Sequence, residues 1–550
     1  MLSCRRRASL PAPGRHSGRI PEWHTDTRTD MRTVLQQAAS AGPPHAVCWE
    51  EAATGAGGAQ PPELSAMSRA AEAVGWRVSE APPGAAARPG FCSLYKAPRC
   101  PDTPRVFTGR LLSSPRRANS SISTRANTER KKNKTGSTRG ARKPYNEVID
   151  LSSGDLHRAG LKPLSFVRQV LAACLYPQLL TSEKMPEDVR QRVQRLLGCI
   201  EGGVGSYTAT AGVSEIVHRV SEFITRRDRG VSSYPENIYI SPGSQWSLGN
   251  VLNILVNSQA SPRTGVLTPV PCHSTTTLSL MSLGAVIIPY YLNEEQGWEL
   301  QVKELHRALE SAKGVCNPVA LYVINPGNPS GYVQSRKSIQ EVIRFVSEKR
   351  LFLLADEVYQ DCVYGENVEF VSYKRVLAEM GPPLSDTVEL ASFHSASKGF
   401  MGECGLRGGY VELVNLDPAV MKYVHTLFST DACAPVLGQI ALDLMMHPPQ
   451  PGDPSYHLYN VETQNIRTAV IHNAKRASEV VNSLPGFCCQ PVEGGAFAFP
   501  RLHLPPKAIQ KAKEVGIEPD AFYCLRLLKD AGVLVRPGCE YRQKEGTHHI

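Results

Sequence analysis

The stretch SFHSASKGFMGECGLRGGY (Ser392–Tyr410) sets one lysine, Lys398, among serines and glycines directly after the β-prone run VELASF, with Arg407 nine residues further on. Three chemistries suit such a lysine. It can be a solvated surface amine, the proton partner of a serine nucleophile, or an amine that condenses with a carbonyl cofactor to form an imine. Ser395-Ala-Ser-Lys398 does satisfy the Ser-x-x-Lys pattern of acyl-transfer sites. That chemistry also needs Ser-Asp-Asn and then Lys-Thr-Gly downstream. The only Lys-Thr-Gly, Lys134–Gly136, lies upstream, and Ser-Asp-Asn is absent.

The imine reading uses more of the residues. Condensation with the aldehyde of pyridoxal phosphate needs a partly neutral amine, and burial or a neighbouring cation lowers a lysine pKa from about 10.4 toward that state. Such a cofactor also needs a carboxylate for its ring nitrogen and a cradle for a dianionic phosphate. Asp356 ends the run LFLLAD, where a buried carboxylate keeps a pyridine nitrogen protonated. At an effective dielectric near 20, opposite charges ~4 Å apart gain roughly 4 kcal/mol. Tyr359 reaches the same ring if a helical turn follows. Arg407 can bind phosphate bidentately, with Ser395 and the turn at Gly243–Gln245 as further donors. Singly, each has a plainer reading: Asp356 as a helix cap, Tyr359 as packing, NPGNPSG (Asn325–Gly331) as a loop, Arg-Gly-Gly as a solvated corner. Their ordered coincidence along one α/β pattern favours a shared site.

Seven short β-branched or apolar runs, each closed by a turn, must position these residues: 237–244, 265–272, 285–291, 319–331, 350–359, 388–398 and 407–413. Helical spacing lies between several of them, as in 335–350, and precedes them in 163–175 and 186–200. Such alternation predicts an α/β fold with a mainly parallel sheet covered on both faces. Ligands then bind beyond the carboxyl ends of the strands. Those ends carry Ser244, His273, Asn328, Asp356 with Tyr359, and Lys398. Past a Pro-rich bend at 447–454, a long helix and the runs GAFAFPRLHL and GVLVRP predict a smaller α+β domain.

The chain has 550 residues and a formal charge of +10. Residues 1–145 hold 24 Lys and Arg against 10 Asp and Glu, which leaves 37 against 41 for the rest. The basicity belongs to the N-terminal tract, and the body gives no electrostatic reason to expect nucleic acid. Residues 1–137, rich in Ala, Gly, Pro, Ser and Arg, are expected to form a disordered basic extension. Fifteen cysteines without Cys-x-x-Cys spacing show no metal site or disulfide framework, which predicts reduced thiols in the cytoplasm. No apolar stretch approaches the roughly 20 residues that span a bilayer, so no membrane association is expected. Five arginines and no acid in the first 20 residues make mitochondrial import the alternative.

NPGNPSG, LFLLADEVYQD and the Ser392–Tyr410 stretch resemble the fold-type I pyridoxal-phosphate aminotransferases, and among them the alanine aminotransferases. GSYTATAGV (205–213), FITRRDRGV (223–231), YLNEE (291–295) and DAFYC (520–524) share the likeness, which runs from RGARKPYNEVI (139–149) to the C-terminus. The resemblance implies a homodimer with sites at the subunit interface. It also implies an N-terminal arm with part of a small domain (138–205), a large cofactor-binding domain with a seven-stranded sheet (206–445), and a C-terminal small domain, incomplete at its end (446–550). The implied reaction moves an amino group from L-alanine to 2-oxoglutarate, giving pyruvate and L-glutamate by a ping-pong route.

By position, the resemblance makes Lys398 the cofactor-linked lysine and proton shuttle, and pairs Asp356 with the ring nitrogen. Asn328 and Tyr359 would bond the ring oxygen, and Ser395 and Arg407 the phosphate, which Tyr207 would reach from the neighbouring subunit. Gly154 and Asn328 would face the substrate. Three departures stand out. Ser244, Gln245 and Trp246 follow Gly243 where the family has a small residue, Ser and Asp, so Ser244 or Gln245 is left to donate to phosphate. His273 stands where a tyrosine stacks on the ring. The chain stops at EGTHHI (545–550), just before the arginine that grips the substrate α-carboxylate, with Arg536, Arg542 or Lys544 as candidate replacements. They frame the alternative expectation of a cofactor-binding homologue with little or no transaminase activity, acting through dimerisation or its basic tail. A third is elimination or decarboxylation on the same scaffold.

Overall fold

Sequence runs that are apolar at every position become strands buried on both faces. The computed structural model describes Tyr145 and residues 147–550, and the basic extension expected at 1–137 lies outside the described residues. The strands are β1 (Ile149–Asp150), β2 (Ile238–Ser241), β3 (Thr264–Val270), β4 (Val286–Tyr291), β5 (Asn317–Ile324) and β6 (Phe352–Asp356). They continue with β7 (Leu390–Ser395), β8 (Gly409–Val414), β9 (Phe487–Cys488), β10 (Arg501–Leu502) and β11 (Val533–Leu534). Strands β2 to β8 form one seven-stranded sheet in the spatial order β2-β8-β7-β6-β5-β3-β4. Its pairs are parallel except the two that involve β8. The α/β fold with a mainly parallel sheet is therefore present as expected.

Successive side chains on a strand point to opposite faces. On β5, Leu321 and Val323 pack with helices Val302–Ala312 and Arg336–Lys349, while Ala320 and Tyr322 pack with helices Ser244–Leu255 and Pro418–Phe428. Helices on both faces leave no solvent for either set, which explains why the strand reads VALYVI rather than as an alternation. The sheet edge where the parallel strands end is the edge where antiparallel β8 begins. Gly409 of β8 pairs with Ser241, the last residue of β2, and with Ser395, the last of β7. A Cβ at Gly409 would lie 2.7 Å from Gly243 Cα and from Ser244 N. Backbone approaches backbone there, and only glycine fits.

A second body of core joins helices Ser165–Leu175, Glu187–Cys199, Ser214–Arg227 and Val436–Met446. The last helix carries Asp443, which is fully buried. Its carboxylate accepts from Arg195 Nη2 at 2.7 and 2.6 Å and from Arg192 Nη1 at 3.4 Å, pinning two helices together. Beyond the 28-residue helix Tyr456–Ser483 lies the smaller α+β part. It comprises helices Pro506–Glu514 and Pro519–Ala531, antiparallel β9–β10, and β1 paired in parallel with β11. Of the run GAFAFPRLHL, only Arg501–Leu502 pairs as strand. Among the described residues no helix is long and apolar enough to cross a membrane.

Replacing Asp443 by Ala leaves two arginines facing a buried gap. The expected cost is about 3–5 kcal/mol in unfolding free energy, read from urea denaturation. A loss below 1 kcal/mol would show that the helices are held by apolar packing alone.

Candidate active site

The ends of β2, β3, β5, β6 and β7 and the start of β8 surround one cavity of about 230 Å³. Ser244, Gln245, His273, Asn328, Asp356, Tyr359, Ser395, Lys398 and Arg407 all line it. Gly154 lines an adjoining cavity of about 210 Å³, which shares His273, Asn328, Tyr359, Lys398 and Cys404 with the first. Tyr207 is brought to neither cavity and is 84% exposed.

Asp356 closes β6 with its carboxylate buried. Tyr322 donates its hydroxyl to Asp356 Oδ2 at 2.8 Å, and Val358 N–H approaches Oδ1 at 3.4 Å. Burial pushes the carboxyl above its ordinary value, and the Tyr322 hydroxyl, the Val358 N–H and the charge of Lys398 pull it partly back. A cation placed against it would stabilise the ionised form further. Lys398 Nζ lies 5.5 Å from the centroid of the Tyr359 ring. Asn328 donates from Nδ2 to the Tyr359 hydroxyl at 3.2 Å. Its Oδ1 is buried without a hydrogen-bond partner among the described residues.

The opposite corner is built for an anion. Gly243, at φ +126°, turns the chain from β2 into helix Ser244–Leu255, whose first N–H groups have no acceptor within the helix. The Gly409 register brings Arg407 over this turn. A Cβ on Gly243 would lie 2.5 Å from Arg407 Nη2. Arg407 is steadied by donating from Nη1 to the Cys404 carbonyl at 2.9 Å. Gln245 Oε1 is buried without a partner among the described residues. Trp246, which stands where an acid was expected, turns away from the cavity. Its indole N–H donates to Asp431 Oδ2 at 2.6 Å, and its ring packs edge-on against Phe428.

His273 caps helix Ser274–Ser282, its Nδ1 accepting from Thr275 N–H at 3.2 Å. That bond assigns the ring proton to Nε2. Burial, then the charges of Arg536 and Lys398, lower its pKa from 6.5 to about 4, so the imidazole is neutral near pH 7. Several lining residues escaped the sequence reading. Tyr322 lies inside an apolar run, and only its alternation with Leu321 and Val323 signals a different face. Cys404 sits within the Ser392–Tyr410 stretch and Phe497 within GAFAFPRLHL without either being singled out there, and Tyr541 belongs to no motif. Among the described residues, no group of His, Cys, Asp or Glu is placed to hold a metal ion.

The His273 environment gives a signed pH dependence. Between pH 6.5 and about 4 the unfolded chain takes up a proton that the native imidazole refuses. Stability therefore falls as pH drops through that window. In His273→Asn, whose amide oxygen preserves the cap, this component of the acid loss is expected to vanish. Ring-proton NMR of the native chain is expected to show a His273 midpoint near 4; one near 6.5 would contradict the placement.

Comparison with known proteins accords with this geometry. Residues 171–546 match the family described as aminotransferase class I and II. The chain is 48% identical over 412 residues to alanine aminotransferase 2 of Xenopus tropicalis, covering 75% of this chain and 79% of that one. Human alanine aminotransferase 1 is also 48% identical, with 75% and 83% covered. The solved alanine aminotransferase from Pyrococcus furiosus has the same fold at 18% identity, with a TM-score of 0.59 over 78% of this chain and 90% of that one. Pyridoxal 5′-phosphate, the cofactor of such enzymes, fits the donor set: an amine, a buried carboxylate and an anion corner on one cavity. With that family match and relatives 48% identical over three-quarters of its length, the chain belongs to the class I and II aminotransferases.

Proposed function

We propose that this chain exchanges an amino group between L-alanine and 2-oxoglutarate, forming pyruvate and L-glutamate in two half-reactions. One observation carries the reading: Lys398, Asp356 and Arg407 line a single cavity in a chain that is 48% identical to alanine aminotransferases. When bound, pyridoxal phosphate supplies an electron sink for the bond broken at the substrate α-carbon and carries the amino group between half-reactions.

The protein's own groups divide the remaining work. Lys398 Nζ, which lines both cavities, holds the cofactor and moves the proton of the substrate α-carbon. The Asp356 carboxylate would hold a proton on the ring nitrogen. Its burial makes it selective for a cationic partner. Asn328 and Tyr359, bonded to each other, would hold the ring oxygen, and His273 would face the ring as a neutral imidazole. Arg407, Ser395, Ser244 and Gln245, which line the same cavity, would bind the phosphate. Gly154 keeps the substrate side open, since a Cβ there would lie 2.8 Å from Phe497 Cζ and 3.5 Å from Lys398 Nζ.

The exposure of Tyr207 supports a homodimer in which this residue completes the partner's phosphate site. We take residues 138–205 as the arm, 206–445 as the large domain and 446–550 as the small one. A cytoplasmic location is supported by the cysteines, since all eleven described ones are free thiols. Glutamate–glyoxylate aminotransferase 2 of Arabidopsis thaliana is 38% identical over 74% of this chain and 84% of its own. The identity favours alanine over that pair, and favours turnover over the non-catalytic alternative.

A coupled assay is expected to show pyruvate from alanine and 2-oxoglutarate, faster than glycine from glutamate and glyoxylate. The reverse order would reassign the substrates, and absence of both activities would sink the reading. Lys398→Ala is expected to lower turnover by at least about 10²–10⁴-fold and to abolish the cofactor's protein-linked absorbance band. Gly409→Ala, which forces the Ser244 turn away from Arg407, is expected to weaken cofactor uptake by about tenfold or more in equilibrium dialysis. Uptake unchanged from wild type would place the phosphate elsewhere.

A further inference from the structure

Of the three cations the sequence left as candidates for a carboxylate contact, Arg542 and Lys544 are exposed and line neither cavity. Arg536 lines the cavity that also holds Gly154, Asn328 and Lys398. It follows β11, and the pairing of β11 with β1 (Ile149↔Val533) draws the chain from Ser152 to Asp155 alongside. Arg536 Nε donates to the Ser152 carbonyl at 2.9 Å, which fixes the guanidinium at the cavity wall. Its Nη1 approaches Glu540 only to 3.6 Å, with both side chains 39% exposed. The one carboxylate lining this cavity, Asp155, instead accepts from Arg158 N–H at 3.0 Å. The guanidinium also donates toward the Tyr541 hydroxyl on the same wall, and its remaining N–H groups are left for an external anion.

Distance supports the same conclusion. Ser152, which anchors Arg536, is two residues from Gly154, whose Cβ position lies 3.5 Å from Lys398 Nζ. Two residues span roughly 7 Å of extended chain, so one short acid can touch both the guanidinium and the reacting amine. With His273 neutral beside them, Arg536 and Lys398 are the two basic side chains of this cavity.

Resting on the transaminase reading, we propose that Arg536 binds a carboxylate of the amino-acid and oxo-acid substrates and is a specificity-determining residue of this chain. A fork of N–H donors suits a carboxylate, and Nε is already committed to Ser152, so the two Nη groups make the contact.

The test uses the holoenzyme and two non-reacting acids, propionate with one carboxylate and glutarate with two, titrated against the cofactor absorbance. R536Q is expected to weaken binding of at least one of them by about 10- to 100-fold, with part of the affinity returned in R536K. R542Q, a control at an exposed position outside the cavities, is expected to bind both as wild type does. Loss for both acids assigns the contact to the carboxylate that all substrates share, and loss for glutarate alone assigns it to the distal one. Equal affinity of R536Q and wild type for both acids, with cofactor bound, overturns this proposal alone. A wild-type chain that takes up no cofactor overturns the transaminase reading with it.

Discussion

A carboxylate removed from water is costly unless a cation or donors face it, and Asp356 imposes that condition on the whole site. Its side chain is buried at the end of β6, beside Ile324 of β5, with one strong donor in Tyr322 and a weak one in Val358. Those two do not offset the burial, since its pKa remains raised. The imbalance is a binding specification: the cavity favours a ligand that brings positive charge to that wall. Lys398 lines the same cavity, and among the described residues its charge acts on Asp356 without a direct ion pair joining the two.

The other end of the ligand is specified by backbone register rather than by one side chain. Antiparallel β8 begins where its neighbours end, so Arg407 arrives beside the Gly243 turn and Ser395 without any long loop. The arrangement relies on close backbone contact at Gly409 and Gly243. A dianion at this corner meets a guanidinium, a hydroxyl and the N-terminus of a 12-residue helix together. Charge is therefore distributed by the fold: a negative wall at β6, a positive corner at β2 and β8, and the reacting amine between.

Much of this was legible in the chain because parallel strands buried on both faces leave continuous apolar runs that end in turn residues. Asp356 and Lys398 stand at or just beyond such ends, and Arg407 just before β8 begins, where a polar residue is conspicuous. Tyr322 is not conspicuous: inside VALYVI a phenol reads as packing, and its bond to Asp356 depends on how β5 registers against β6. Trp246 is the converse case. By position it replaces an acid at the phosphate turn, yet helical rotation carries it outward to Asp431 and Phe428. Arg536 could not be separated from Arg542 and Lys544 by spacing, because its place depends on the pairing of β11 with β1, nearly 400 residues apart in the chain.

The histidine at 273 shows how a departure from the family pattern is accommodated. A protonated imidazole here would put a third cation beside Lys398 and Arg536, and like charges in a half-buried cleft disfavour one another. Capping resolves the conflict. By accepting from Thr275, Nδ1 uses the lone pair that protonation requires, so the helix start and the neighbouring charges select the same neutral tautomer. The ring can then offer a flat apolar face and a single Nε2 donor, close to what an aromatic residue would provide. With the imidazole uncharged, the basic side chains left on the two cavities are Lys398 between them, Arg536 on one and Arg407 on the other.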